Sequence, residues 1–161
     1  MTNKLAAALM GVWLLAGTAA MAQTKPDFSG DWKLNVEKSA LGPLPAPVFL
    51  LEKIEHKDPD LNVTTHTLTL PQSDVTYEAK YTTNGKECLN KFGDQINLKS
   101  KLVWDHQTLV VDTDMTDASG AHLMTLKGKW TVSADGKVLT QAEHIDSPQG
   151  PIDVTYVFDK R

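Results

Sequence analysis

The sequence predicts an all-β fold, an antiparallel up-and-down meander of about 8–10 strands that closes into a barrel. After residue 22, short runs rich in Val, Thr, Leu, Tyr and Trp alternate with turn residues, and no segment keeps a 3.6-residue apolar period. Short connections imply that consecutive strands pair antiparallel. Rolling the sheet into a barrel covers one apolar face per strand and removes exposed edges. A two-sheet sandwich is the alternative, and it normally needs longer crossovers.

The first half of the chain supplies four predicted strands, at residues 28–36, 49–57, 61–70 and 75–81. Three prolines in the stretch 38–47 keep it from being a central strand. The turn residues Asp58, Pro59 and Asp60 separate the second strand from the third. Asn84-Gly85 then predicts a two-residue hairpin turn after the fourth strand.

The second half carries five further strands and one weakly patterned stretch. The strands are predicted at residues 99–104, 108–115, 121–132, 137–145 and 152–158. Residues 86–98 are predicted to form a short strand and a loop. Asp135-Gly136 is a second two-residue hairpin signal.

Residues 1–22 read as a cleavable signal peptide, and residues 23–161 as one domain. A basic start at Lys4, an apolar stretch over residues 5–15 and small residues at Ala20 and Ala22 are the three parts of a secretory signal. The apolar stretch is too short to span a bilayer comfortably, so we expect no stable membrane anchor after cleavage. The predicted location is therefore secreted or periplasmic.

Composition limits the partners and the covalent chemistry. Removing 22 of the 161 residues leaves 139 and removes Lys4, so the net charge goes from −4 to −5. This acidic balance argues against nucleic acid as a partner. Cys88 is the only cysteine, which excludes an internal disulfide, and we expect it to be a small half-buried apolar residue.

The opening of the mature domain resembles a known superfamily. Residues 28–34 read Phe-Ser-Gly-Asp-Trp-Lys-Leu and carry a G-x-W at Gly30 and Trp32. This resembles the calycin superfamily, and within it a group of small secreted bacterial lipocalin-like proteins. The resemblance implies that Trp32 closes one end of an eight-stranded barrel, with Lys160 or Arg161 stacking over its indole. It also implies that the proline-rich stretch is either a lid over the barrel mouth or only a rigid crossover.

No residue pattern predicts catalysis, a metal site or a cofactor. None of the five histidines has a partner at metal-ligand spacing, and no nucleophile motif is present. Asp112 and Asp114 alternate against an apolar face, so we expect them to face water. The leading hypothesis is a non-enzymatic binding protein for a small hydrophobic or amphipathic ligand. The candidate ligand-binding residues are Tyr77, Tyr81, His122, Met124 and Tyr156.

The alternative hypothesis is a protein-interaction module, such as an inhibitor or an assembly factor. It predicts a barrel filled with side chains and an exposed apolar patch near Leu41, Leu44 and Val48.

Overall fold

The computed structural model describes residues 25–70 and 73–161, so the predicted signal peptide lies outside the described residues. These residues form ten strands and a short 3-10 turn at Val36–Lys38. The strands are β1 (Gly30–Leu34), β2 (Phe49–Lys57), β3 (Asp60–Thr69), β4 (Ser73–Thr82), β5 (Asn84–Phe92), β6 (Ile96–Asp105), β7 (Thr108–Asp117), β8 (His122–Val132), β9 (Val138–Ser147) and β10 (Gly150–Lys160). The predicted all-β meander is confirmed.

The ten strands form one antiparallel sheet that nearly closes into a barrel. Their order is β4-β3-β2-β1-β10-β9-β8-β7-β6-β5, so the first and last strands of the chain pair in the middle of the sheet. Trp32 on β1 faces Lys160 on β10 in this pairing. Each strand thus has a sequence neighbour beside it, as short connections require.

The barrel is interrupted between β4 and β5, the two ends of the strand order. Side chains from β5 reach across to the backbone of β4. The Asn90 amide donates to the Lys80 carbonyl oxygen (3.0 Å) and accepts from the Lys80 N–H (2.8 Å). The Thr82 N–H lies 3.1 Å from the Cys88 Sγ. Asn90 therefore satisfies both backbone groups of Lys80 in place of a neighbouring strand.

The predicted hairpin turn at Asn84-Gly85 is wrong, and it lies at this interruption. The turn is at Thr83, and Asn84 already belongs to β5. A bulge between Asn84 and Glu87 shifts the register of β5 against β6, and Gly85 there has a φ of +79°. A bulge bends the strand that contains it. This bulge lies at the start of β5, in the part that pairs with β6 and not with β4.

Phe28 plugs one end of the barrel. It is fully buried, and its ring packs against the rings of His56, Trp104 and Trp130 at centroid distances of 5.8, 5.7 and 6.5 Å. The indole N–H of Trp32 donates to the Phe28 carbonyl oxygen at 2.9 Å. Phe28, just before β1, is thus fixed to that strand from inside the barrel.

Trp32 lies beside the C-terminal end of β10, where Lys160 covers its ring. It is fully buried, and the Lys160 Nζ lies 5.1 Å from its ring centroid, a cation–π arrangement. Gly30 makes room for this lysine, because a Cβ at Gly30 would lie 2.6 Å from the Lys160 Cε. Arg161 follows β10, and its backbone N–H donates to the Asp31 carbonyl oxygen at 2.8 Å.

The proline-rich stretch is a crossover between β1 and β2. It is fixed to β10 by the paired backbone hydrogen bonds of Ala40 and Thr155, at 2.9 and 2.7 Å. None of its residues lines the interior cavity described below. Leu41 and Leu44 are half-buried, whereas Val48 is 56% exposed. The stretch therefore crosses from β1 to β2 beside β10 and does not line that cavity.

In the described part of the chain, no helix has the length and apolar character needed to cross a membrane.

Candidate ligand-binding cavity

The inward faces of the strands enclose a cavity of about 260 Å³ inside the barrel. At ~30 Å³ per water, this equals the volume of about nine water molecules. Its wall is apolar at Val63, Val111 and Ile145. Its polar and aromatic lining residues are Glu52, Thr65, Tyr77, Tyr81, Thr113, Trp130, Gln141, Glu143 and Tyr156. The barrel interior is therefore partly open, and its polar lining is richer than an apolar core would have.

Three of the predicted ligand-binding residues share this cavity. Tyr77 and Tyr81 come from β4 and Tyr156 from β10, and the phenol rings line one space. Burial raises the pKa of all three phenols, and that of Tyr156 to about 12. They are therefore neutral hydrogen-bonding groups at any physiological pH.

The other two predicted residues are not among the lining residues. Met124 is half-buried on β8. His122 is exposed, and its Nδ1 lies 2.9 Å from the Asp114 carboxylate on the outside of the barrel. A ligand-binding role inside the barrel requires an inward side chain at His122, and the structure places this side chain on the outer face instead. Between the pairs Met115–Met124 and Thr116–His122, β8 advances by two residues while β7 advances by one. This bulge turns His122 to the outer face.

The cavity contains three polar residues that the sequence pattern offered but the prediction missed. Glu52 lies between Leu50 and Ile54 in the two-residue alternation of β2, on the side that carries the core. Gln141 and Glu143 occupy the inward positions of β9 between Leu139 and Ile145. The sequence did contain a signal for these residues, because a carboxyl or amide group at a position that the alternation assigns to the apolar face is unusual.

Burial controls the charge of both interior carboxyls. It raises the pKa of Glu52 to about 8; the hydrogen bond from Gln141 Nε2 to Glu52 Oε2 (2.8 Å) opposes the rise, and the nearby Glu143 carboxyl adds to it. Burial likewise raises the pKa of Glu143 to about 7, with the Trp130 indole acting against it. At neutral pH the empty cavity therefore holds one protonated carboxyl and one that is partly ionised.

Two buried polar atoms of the lining have no hydrogen-bond partner of standard geometry. They are the Thr65 Oγ1 and the Trp130 Nε1. Thr65 lies near enough to the Tyr77 phenol, and Trp130 near enough to the Glu143 carboxyl, to lower the pKa of each neighbour. Buried polar groups without partners are rare, and here they border an open volume. A bound molecule or water inside the cavity would satisfy them.

An outer cleft of about 560 Å³ covers the interruption between β4 and β5. Glu78 and Lys80 line its β4 side, and Asn90 lines its β5 side. Leu98 lines both this cleft and the interior cavity. Leu98 therefore separates the outer cleft from the interior cavity, close to the gap between β4 and β5.

The remaining titratable residues that the sequence brought to attention lie elsewhere. Asp112 is exposed, as expected. His144 pairs on the surface with Asp153 at 2.7 Å. Cys88 is buried as a free thiol. Among residues 25–70 and 73–161, no group of three or more His, Cys, Asp or Glu side chains is arranged to hold a metal ion.

Comparison with known proteins identifies the fold. No protein-family model matches the chain, and no curated protein matches it. The solved structure of zebrafish ileal bile acid-binding protein complexed with cholic acid is similar, with a TM-score of 0.59 and 14% identity over 83% of this chain and 98% of that one. The structure of a point mutant of the fluorescent protein UnaG is similar with a TM-score of 0.56 and 14% identity, over 83% and 96% of the two chains.

The chain shares its fold, an antiparallel meander rolled into a nearly closed barrel, with both of these proteins. The resemblance carried by Gly30 and Trp32 is thereby confirmed for the fold. The barrel differs from the eight strands that the lipocalin pattern implied, because it has ten strands and is interrupted between β4 and β5.

Proposed function

We propose that this chain is an exported, non-enzymatic protein that binds a small amphipathic ligand inside its barrel. The observation that carries the proposal is the interior cavity of about 260 Å³, whose lining includes three tyrosines and two carboxyl groups. Enclosed cavities with an aromatic wall and a few convergent polar groups are typical of small-molecule sites. The likeness to a bile acid-binding protein supports a binding role, although the ligand itself does not carry over at 14% identity.

The alternative, an interaction module with a filled barrel, is less well supported. That hypothesis predicts a barrel interior filled with side chains, whereas the interior contains a cavity of about 260 Å³. Its predicted surface patch is only partly exposed, at Val48.

An acid–base enzyme is also less well supported. Perturbed carboxyls in a cavity are typical of catalytic pairs, but such pairs need environments that push the two pKa values apart. Here burial raises the pKa of both Glu52 and Glu143, to about 8 and about 7. Among the lining residues, neither carboxyl has a lysine, arginine or histidine to serve as its acid–base partner.

The binding proposal is tested by filling the cavity. Val111 lines it, whereas Val110 is on the opposite face of the same strand. We expect Val111→Trp to abolish displacement of a neutral environment-sensitive dye by small amphipathic molecules, and Val110→Trp to leave it unchanged. Equal displacement by both variants would contradict the proposal. So would wild-type protein that takes up neither the dye nor any ligand that co-purifies in native mass spectrometry.

Export is tested separately, by expressing the full chain in a secreting bacterial host. We expect the mature protein outside the cytoplasm with Gln23 as its first residue, read by N-terminal sequencing. Unprocessed protein in the cytoplasm would contradict this part of the proposal and leave the binding part standing.

A further inference from the structure

The charge of the cavity points to the class of ligand. Among the described residues, those lining the cavity include no lysine, arginine or histidine, and two of them, Glu52 and Glu143, carry carboxyl groups. A ligand carboxylate would enter this space without a cationic partner and beside groups of its own charge. A ligand cation would find two buried carboxyl groups, each of which can ionise to become its counter-ion.

The two carboxyls come from different strands and act on each other. Glu52 lies on β2 and Glu143 on β9, and the Glu143 charge contributes to the raised pKa of Glu52. The hydrogen bond from Gln141 occupies one of the two Glu52 oxygens. A cationic group placed between the carboxyls would relieve their mutual repulsion and convert both to the ionised form.

The rest of the lining suits an organic cation. Tyr77, Tyr81, Tyr156 and Trp130 give the wall four aromatic rings, whose faces attract cations. The hydroxyl oxygen of Thr65 is buried without a partner of standard geometry and can accept a hydrogen bond from an ammonium N–H. The free volume admits about nine non-hydrogen atoms, if each takes roughly the ~30 Å³ of a water molecule.

We propose that the barrel binds a small organic amine in its protonated form, with the ammonium group held between Glu52 and Glu143 and the aromatic or aliphatic body against the rings of Tyr77, Tyr81 and Tyr156. This inference rests on the proposed function, because it names the ligand class of the same cavity.

Three probes of nearly equal size test it: 2-phenylethylamine, 2-phenylethanol and phenylacetate, titrated calorimetrically into the full mature protein at pH 8.5. We expect the amine to bind at least about tenfold more tightly than the alcohol, since a hydrogen bond to a charged group contributes that much, and the carboxylate to bind most weakly. Glu52→Gln and Glu143→Gln should each weaken amine binding by about tenfold and weaken alcohol binding by a smaller factor, because the alcohol carries no charge for the carboxylates to pair with. The exposed Glu55→Gln on β2 is the matched control and should leave both unchanged.

Amine affinity should also rise with pH. The groups that face the carboxyls are the neutral Gln141, the Trp130 indole and the three phenols, which stay protonated, so only Glu52 and Glu143 titrate between pH 6 and pH 8.5. Both gain their negative charge over this range, and binding at pH 6 should release protons. The affinity for 2-phenylethanol should not rise.

The outcomes separate this inference from the proposed function. If the alcohol binds as tightly as the amine, or if phenylacetate binds best, the cavity binds ligands but the amine inference is wrong. If none of the three probes binds and the dye is also excluded, both proposals are wrong. Amine binding that survives Glu52→Gln and Glu143→Gln alike would overturn the assignment of the carboxyls.

Discussion

Replacing Glu52 by glutamine should stabilise the protein at alkaline pH. Glu52 is 8% exposed, and its one hydrogen bond comes from Gln141. A glutamine at position 52 keeps the size of the side chain and can still accept that hydrogen bond through its amide oxygen. The substitution therefore removes the ionisable group with little change in packing.

The size of the effect follows from the two pKa values of the Glu52 carboxyl, an ordinary value of 4.5 and a value of about 8 in the fold. Below pH 4.5 the group is protonated in both states and costs nothing. As the pH rises from 4.5 to 8, the unfolded chain loses this proton first, and the free energy of unfolding falls by about 1.4 kcal/mol per pH unit. The upper limit is about 5 kcal/mol, and water entering the cavity reduces the expected loss to about 2–3 kcal/mol at pH 9.

The assay is urea denaturation of the wild type, Glu52→Gln and Glu55→Gln at each pH unit from 5 to 9. The advantage of Glu52→Gln over the wild type should grow from less than about 1 kcal/mol at pH 5 to about 2–3 kcal/mol at pH 9. Glu55→Gln, an exposed change on the same strand, should follow the wild type. His56, whose pKa burial lowers, titrates in all three proteins, so its effect cancels in the differences. A difference that stays constant with pH, or that is largest at pH 5, would refute the reasoning.

Two further predictions concern stability. Lys160→Met should lower the free energy of unfolding by about 1 kcal/mol, because it removes the cation over the buried Trp32 ring, and Arg161→Met is the control that should change thermal unfolding little. Ser100→Ala should lower the free energy of unfolding by about 1–2 kcal/mol, since it leaves the Thr113 hydroxyl without its buried partner at 2.8 Å. Adding Thr113→Val should recover most of that loss, because no hydroxyl is then left unpaired. A double variant no more stable than Ser100→Ala would count against this account of the pair.

Strand alternation was enough to place the tyrosines of the cavity. Tyr77 and Tyr81 each lie two positions from Ala79, one on either side of it, and Tyr156 lies in a similar alternating run near the end of the chain. Because the side-chain period of a strand is two, one buried face fixes the direction of every residue in an unbroken strand. The same rule placed Asp112 on the outside.

The rule failed where the ladder is irregular. The bulge in β8 adds one residue before Met124 and reverses the side chain of His122. The bulge in β5 separates Asn84-Gly85 from the hairpin geometry that this dipeptide usually adopts. A bulge depends on contacts between two strands that are remote from any local sequence pattern, so neither irregularity had a signal in the sequence.

The interior carboxyls had a signal, but its meaning depends on packing. A glutamate at position 52, between Leu50 and Ile54, could lie at an exposed rim or deep in the barrel. Whether the space next to it is filled depends on how ten strands fit together, and no periodicity encodes that volume. The cavity therefore could not be predicted from the sequence pattern.

The cost of Glu52 strengthens the case for a ligand. Above pH 8 the carboxyl opposes folding, in a chain whose single cysteine, Cys88, leaves strand pairing and burial as the sources of stability. A leucine or glutamine at position 52 would remove that cost, and departures of this kind from the most stable sequence are concentrated at functional sites. A bound cation would turn the effect of the Glu52 charge on stability from unfavourable to favourable, because the cation stabilises the ionised form that burial alone disfavours. The destabilising effect of Glu52 in the empty protein and its proposed role in the bound protein thus have the same physical origin.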